Sequence, residues 1–209
     1  MLRLRAWVSG LLLLLNPKRL KDVFVLEEAT SDSDAALGVA RRAGEHAAGA
    51  RAIAERYRLP PVDLAALGAL PEGTLGRTFA DRMREMGLDP GALPRKAAQD
   101  DVQYVRAHLY ETHDLWHVVL GFGVDVAGEL GVQAAYAAQH GGALPRLLIT
   151  GGLLQGLIFA RQDWPARLEA VARGYDLARR AHPLFGVRWH ELYAEPLERV
   201  RERLALAAA

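Results

Sequence analysis

Apolar positions along this chain recur at helical spacing, and no stretch alternates as a convincing strand would. Around the first apolar run, Ala6 to Leu15, the residues Leu4, Trp7, Val8, Leu11, Leu12 and Leu15 fall on one side of a helix. The pattern predicts a packed N-terminal helix. Arg3, Arg5, Lys18 and Arg19 flank it, so a helix lying on a membrane surface is the alternative. A cleaved secretion signal fits less well, because Asn16-Pro-Lys-Arg19 stands where small residues belong. The run is too short to span a bilayer.

Further helices follow. Ser31-Asp-Ser-Asp34 can cap one running to about Tyr57, and Leu59-Pro-Pro61 ends it. Pro71-Glu-Gly-Thr74 reads as a turn, Thr74 to Met86 as a helix, and Gly87 and Pro90 as its stop. Asp100 or Asp101 caps the next helix, and a helix around Val124 to Gln139 ends at His140-Gly-Gly142. Pro145 begins an apolar helix, Arg146 to about Arg161. The stretch Leu147 to Ala160 has Gln155 as its one strongly polar residue, which predicts a core helix or the wall of a lipid-tail cavity. Gly152 and Gly156 would let a neighbour pack closely. Asp163-Trp-Pro165 starts a helix that Pro183 ends, and Pro196 opens a charged one to Leu206. The expectation is an all-α fold, a single compact multi-helix domain over residues 1–209.

Composition narrows the chemistry. A net charge of +1 announces neither nucleic acid nor a basic partner. The chain has no cysteine, so disulfides, iron–sulfur clusters, thiolate zinc sites and cysteine nucleophiles are excluded. A metal here must take nitrogen and oxygen ligands.

Such ligands are present in Glu111-Thr-His-Asp-Leu-Trp-His117. Two histidines four apart stand one turn above each other, so both rings can meet one ion, and Asp114 can flank the same point. This is zincin logic with Asp in place of the catalytic Glu. Val102, Val105, Leu109, Trp116 and Leu120 form an apolar stripe; His113 falls inside it and His117 on its edge. Glu129 would sit roughly 18 Å further along a straight helix. Gly121-Phe-Gly123 allows the chain to reverse and bring Glu129 back, and Gly128 allows close approach. Glu129 lies among Val126, Leu130 and Val132, where a carboxylate wants a cation.

His113-Asp-x-x-His117, eleven residues, then Glu129 resembles the metal-binding signature of the Coq4 family. The resemblance extends to Leu70-Pro-Glu-Gly-Thr-Leu-Gly-Arg77, to Asp101 through Glu129, and to Trp189-His-Glu191 with Pro196-Leu-Glu-Arg-Val-Arg201. Two departures stand out: Leu120-Gly121 replaces a common Thr-Gly pair, and His190 stands where an acidic residue is commoner. The resemblance implies an all-helical fold and a divalent ion, usually zinc, on His113, Asp114, His117 and Glu129. It implies oxidative decarboxylation at C1 of a polyprenylated hydroxybenzoate during ubiquinone biosynthesis, with a hydroxyl replacing the carboxylate. It also implies a prenylated aromatic substrate and partner enzymes in a membrane-bound complex. Fe2+ or Mn2+ would suit the oxidative step, since zinc has no redox chemistry. Arg106, seven residues before His113, could pair with the substrate's carboxylate, and Tyr110 could donate a hydrogen bond. An ordinary structural ion pair fits Arg106 equally well, and a place in the core fits Tyr110 better.

No Arg- and Ser-rich transit peptide is evident, so a bacterial protein peripheral on the inner face of the cytoplasmic membrane is expected. A homo-oligomer is compatible with the sequence. Two other readings compete. A non-catalytic scaffold could hold a prenyl lipid and dock other enzymes. A metal-dependent hydrolase would need ligands such as His46 or His108 with Asp163 or Asp176, which no spacing supports.

Overall fold

A computed structural model describes residues 34–90 and 98–206, together with Ser9, Gly10, Leu12, Asp22, Val25, Leu26, Glu28, Ala29 and Arg95. The expected helix over Ala6 to Leu15 lies largely outside the described residues. The described chain is all-α, with one isolated bridge between Thr74 and Pro196. The helices are α1 (Asp34–Ala43), α2 (Ala47–Glu55), α3 (Leu64–Gly68), α4 (Leu75–Met86), α5 (Asp101–Leu120), α6 (Val126–Gln139), α7 (Ala143–Phe159), α8 (Trp164–Arg180) and α9 (Leu197–Arg203). Most expected boundaries fall within a few residues of these. Thr74 and Asp100 cap α4 and α5 through their side chains, and Gly87 and Gly121 close those helices in the left-handed region.

Two boundaries differ. The helix expected from Asp34 to Tyr57 is two helices, broken after Ala43. A side chain on Gly49 would begin 1.8 Å from the Ala43 carbonyl oxygen, so the chain folds back on itself where only glycine fits. The short α3 was not anticipated; Asp63 caps it by accepting from the N–H groups of Ala65 and Ala66.

The chain forms two compact units, residues 43–121 with 180–209 and residues 1–42 with 122–179. In the first, α5 packs against α2, α4 and α9. Its core holds Leu75, Met83, Tyr104, Trp116, Leu184, Phe185 and Trp189, each 2% exposed or less. The start of α4 is tied to the C-terminal segment: Leu75 N–H donates to the Glu195 carbonyl, Gly76 N–H to Tyr193, and Leu197 N–H to Gly73, all at 2.8–2.9 Å. Gly76 admits this approach, since a Cβ there would come within 2.9 Å of Tyr193.

In the second unit, α6 pairs with α7. Glycine sets the distances: a Cβ on Gly174 of α8 would begin 2.1 Å from the Gly131 carbonyl oxygen, and one on Gly152 of α7 would meet Leu130 at 2.6 Å. The pairing of Gly152 and Gly156 with neighbours is as expected. The core-helix reading of Leu147 to Ala160 is not: Leu147, Leu154, Leu157, Ile158 and Phe159 are exposed, and Gln155 and Gly156 are the buried residues of α7.

Candidate metal centre

Helix α5 carries the histidines, and both its ends are fixed. The Asp100 carboxylate accepts from Gln103 N–H at 2.8 Å. At the other end Gly121 (φ 69°, ψ 36°) turns its N–H back to the last-turn carbonyls. Arg201 of α9 adds a clamp: its Nε donates to the Val119 carbonyl at 2.9 Å and its Nη2 to Val118 at 3.0 Å. A guanidinium on the open carbonyls of a helix C-terminus satisfies acceptors and opposes the helix dipole. Those carbonyls belong to the turn that begins at His117. Arg201→Met keeps the aliphatic stem and removes the donors. It should cost about 2 kcal/mol, lowering the melting temperature by about 4–8 °C in a chain of this length. An unchanged melting curve would mean the clamp is incidental.

His117 is fully buried and His113 half-buried. Their Nε2 atoms face each other at 3.2 Å, with the rings nearly perpendicular at 85°. Metal–imidazole bonds of 2.0–2.1 Å would place the two nitrogens about 2.9 Å apart at a right angle and about 3.4 Å apart at the tetrahedral angle. The observed separation lies between these values, so the pair fits one ion without rearrangement. The same distance also admits a simple N–H···N hydrogen bond, which would need nothing between the rings.

Glu129 is half-buried in the first turn of α6. Asp125 caps that helix, accepting from Gly128 N–H at 2.7 Å. A Cβ on Gly128 would overlap the Gly123 carbonyl oxygen at 2.0 Å, so the sharp entry into α6 requires glycine there. His113 and His117 offer two nitrogen ligands from adjacent turns of α5, and Glu129 is the carboxylate that the sequence reading expects to join them. Asp114 follows His113 directly on the same helix. It is half-buried and is one of the charges acting on Arg82 of α4, whose guanidinium burial pushes below its usual range. Arg106 and Tyr110 are half-buried on the same helix.

The opposite side of α5 holds a cluster that the sequence reading did not assemble. His108, fully buried, points about 140–180° round the helix from His113 and His117. Phe185 meets its ring edge-on at 4.7 Å, and Tyr57 and Tyr104 lie 5.8 Å away. Its Nε2 accepts from Gly186 N–H at 3.4 Å. Burial pushes this imidazole down to about 4, only partly opposed by the Tyr57 backbone and Glu111. Beside it Tyr57 Oη and His190 Nδ1 share a hydrogen bond of 2.6 Å, and Tyr104 Oη donates to the Tyr57 carbonyl. Arg58 grips Glu111 with both its Nε and Nη2. His190, which departs from the family pattern, is thus engaged with Tyr57. No sequence spacing joins residues 57, 108 and 190, so only three-dimensional proximity reveals them.

Comparison with known proteins supplies the context. The family model described as "Coenzyme Q (ubiquinone) biosynthesis protein Coq4" matches residues 3–209. Ubiquinone biosynthesis protein COQ4, mitochondrial, of Eremothecium gossypii is 28% identical over 204 residues, covering 95% of this chain and 62% of that protein. The mitochondrial COQ4 homolog of Homo sapiens is 29% identical over 206 residues, covering 96% of this chain and 76% of that one. A crystal structure of a candidate ubiquinone biosynthesis protein from Nostoc punctiforme superposes with a TM-score of 0.84 at 26% identity, covering 98% of both chains.

Proposed function

The chain belongs to the Coq4 family of coenzyme Q (ubiquinone) biosynthesis proteins, and from that premise we propose that it is a metal-dependent decarboxylase of a polyprenylated hydroxybenzoate. The observation that carries the proposal is the His113–His117 pair, one ring fully buried and one half-buried, whose facing Nε2 atoms stand at a separation one divalent ion would bridge. His113, His117 and Glu129 hold the ion, and Asp114 either joins them or orients a histidine. When bound, the ion supplies a Lewis acid that stabilises charge developing on the aromatic ring. Zinc meets that need; Fe2+ or Mn2+ would add redox capacity.

The protein's own residues bind and orient. Arg106 lies nearly two turns before His113 on almost the same face, and a guanidinium there pairs with the substrate's carboxylate. Tyr110, one turn before Asp114, donates a hydrogen bond to the phenolic oxygen. In the reaction the ring carbon C1 loses its bond to the carboxyl carbon, which leaves as carbon dioxide. It gains a bond to oxygen from dioxygen, whose second atom leaves as water at the expense of a two-electron reductant. We place the protein peripherally on a membrane surface beside other enzymes of the pathway, acting over residues 1–209 as one domain. No helix among the described residues is long and apolar enough to cross a membrane.

The exposed apolar face of α7 favours one second reading, a non-catalytic scaffold that handles prenyl lipid. Incubating the purified protein with a short-chain prenylated hydroxybenzoate and a reductant separates the two. Product that gains a hydroxyl, with carbon dioxide released in air and not under argon, is the expected result. Metal bound at one equivalent without turnover would discard the decarboxylase and leave the scaffold.

A further inference from the structure

One face of α7 is both apolar and open. At 100° per residue, Leu147, Thr150, Leu154, Leu157 and Ile158 fall within an arc of about 100°, and all five are exposed. The four apolar members are 42–54% accessible. The other side of the helix is the anchored one. Gly152 meets Leu130, and the buried Arg167 donates to the Gly152 carbonyl at 2.7 Å and to Gln155 Oε1 at 2.5 Å. That clamp fixes which side of α7 faces inward, so the outward apolar arc is a consequence of packing.

The charge on α7 itself is basic, and the acidic group beyond its end, Asp163, faces Arg167 at 3.7 Å. Arg146 stands in the first turn of α7 and Arg161 just beyond its end, both exposed, and the helix carries no acidic residue. Arg42 of α1 adds to the first end. Its Nη1 and the Nη2 of Arg146 come within 3.1 Å and 3.5 Å of the point where a side chain on Gly141 would begin.

We infer that this face of α7 docks on an anionic lipid surface, with the leucine arc entering the headgroup boundary and Arg42, Arg146 and Arg161 meeting lipid phosphates. The inference rests on the reading of the protein as peripheral to a membrane and names the surface responsible. A second copy of the chain is the other obvious occupant, and the charges argue against it. A parallel partner would set Arg146 against Arg146, and an antiparallel one Arg146 against Arg161. Anionic phosphates instead oppose the arginines at both ends. A 17-residue helix, about 25 Å long, is too short to cross the hydrocarbon and suits a position along its surface.

The test is co-sedimentation of the full chain with vesicles of phosphatidylcholine containing about one-third phosphatidylglycerol. Wild type should bind, and binding to pure phosphatidylcholine should be at least about tenfold weaker. The double variant Leu157→Ser, Ile158→Ser should partition about tenfold less or worse, and Arg146→Gln with Arg161→Gln should remove most of the preference for anionic lipid. All four positions are exposed, so the melting temperature should hold; a matching circular dichroism melt checks it. If wild type binds and both double variants bind equally well, the membrane reading survives and this face is the wrong one. If wild type ignores vesicles and sediments as a dimer that the serine variant dissociates, the occupant is a second copy and the inference fails.

Discussion

His117→Ala should lose its metal and its turnover together. The wild type is expected to carry close to one equivalent of a divalent ion, and the variant less than about a tenth of that under the same dialysis. On the proposed function decarboxylation should fall by about 100-fold or more, because the fully buried His117 imidazole would supply both a ligand and the orientation of the remaining set. Ala also leaves a cavity, so a fold control is needed. Added metal at a hundred times its dissociation constant should stabilise wild type by about 2.7 kcal/mol and the variant by nothing. On the proposed ligand set Glu129→Gln should resemble His117→Ala, while Asp114→Asn should keep more of the metal where Asp114 only orients a histidine. If His113 and His117 only hydrogen-bond each other, wild type will show no metal-dependent stabilisation. The variant would then lose about 1 kcal/mol for that bond on top of the cavity, with no metal-dependent difference from wild type.

Much of this site was legible in the sequence because its logic is local. Two histidines four apart need only a helix to face each other, and the Asp100 cap and Gly121 stop announce that helix. The turn to Glu129 is likewise written in Gly121, Gly123 and Gly128, whereas Asp125, which caps the following helix, went unread. The long-range contributions were not legible. Arg201 reaches carbonyls 82 and 83 residues back, and Tyr57 meets His190 across 133 residues; neither arginine nor tyrosine carries a spacing that predicts its partner. The α7 reading went astray for a different reason. An apolar run at helical period reports that a helix can bury a face, not that the fold supplies a neighbour for every side of it. Arg167, a charged residue deep against α7, was equally silent, since a buried guanidinium clamping a carbonyl looks like any helical arginine in the sequence.

Acid should weaken the fold through His108, well above the pH at which carboxylates titrate. The imidazole is held neutral because its surroundings are Tyr57, Tyr104 and Phe185 and because burial leaves no water to solvate a cation. Its folded value is about 4 against 6.5 for the free side chain. The unfolded chain therefore binds this proton first. Stability is complete above pH 6.5, falls by about 1.4 kcal/mol per pH unit below it, and stops falling on this account near pH 4. Between pH 7.5 and 5.0 the loss is about 2 kcal/mol, and about 3 kcal/mol by pH 4. His108→Gln removes the titration and keeps an acceptor within reach of the Gly186 N–H. Urea unfolding at pH 7.5, 6.5, 5.5 and 5.0 should show wild type losing stability steadily while the glutamine variant stays nearly flat. The two curves should converge as pH falls, since the variant begins less stable by its imperfect packing among the rings. Parallel curves would show that His108 either stays uncharged in both states or finds a counterion when protonated. Glu111 is the nearest candidate for that role, although Arg58 already occupies it. The geometry favours convergence, because a cation at His108 would have to draw Glu111 away from a bidentate arginine.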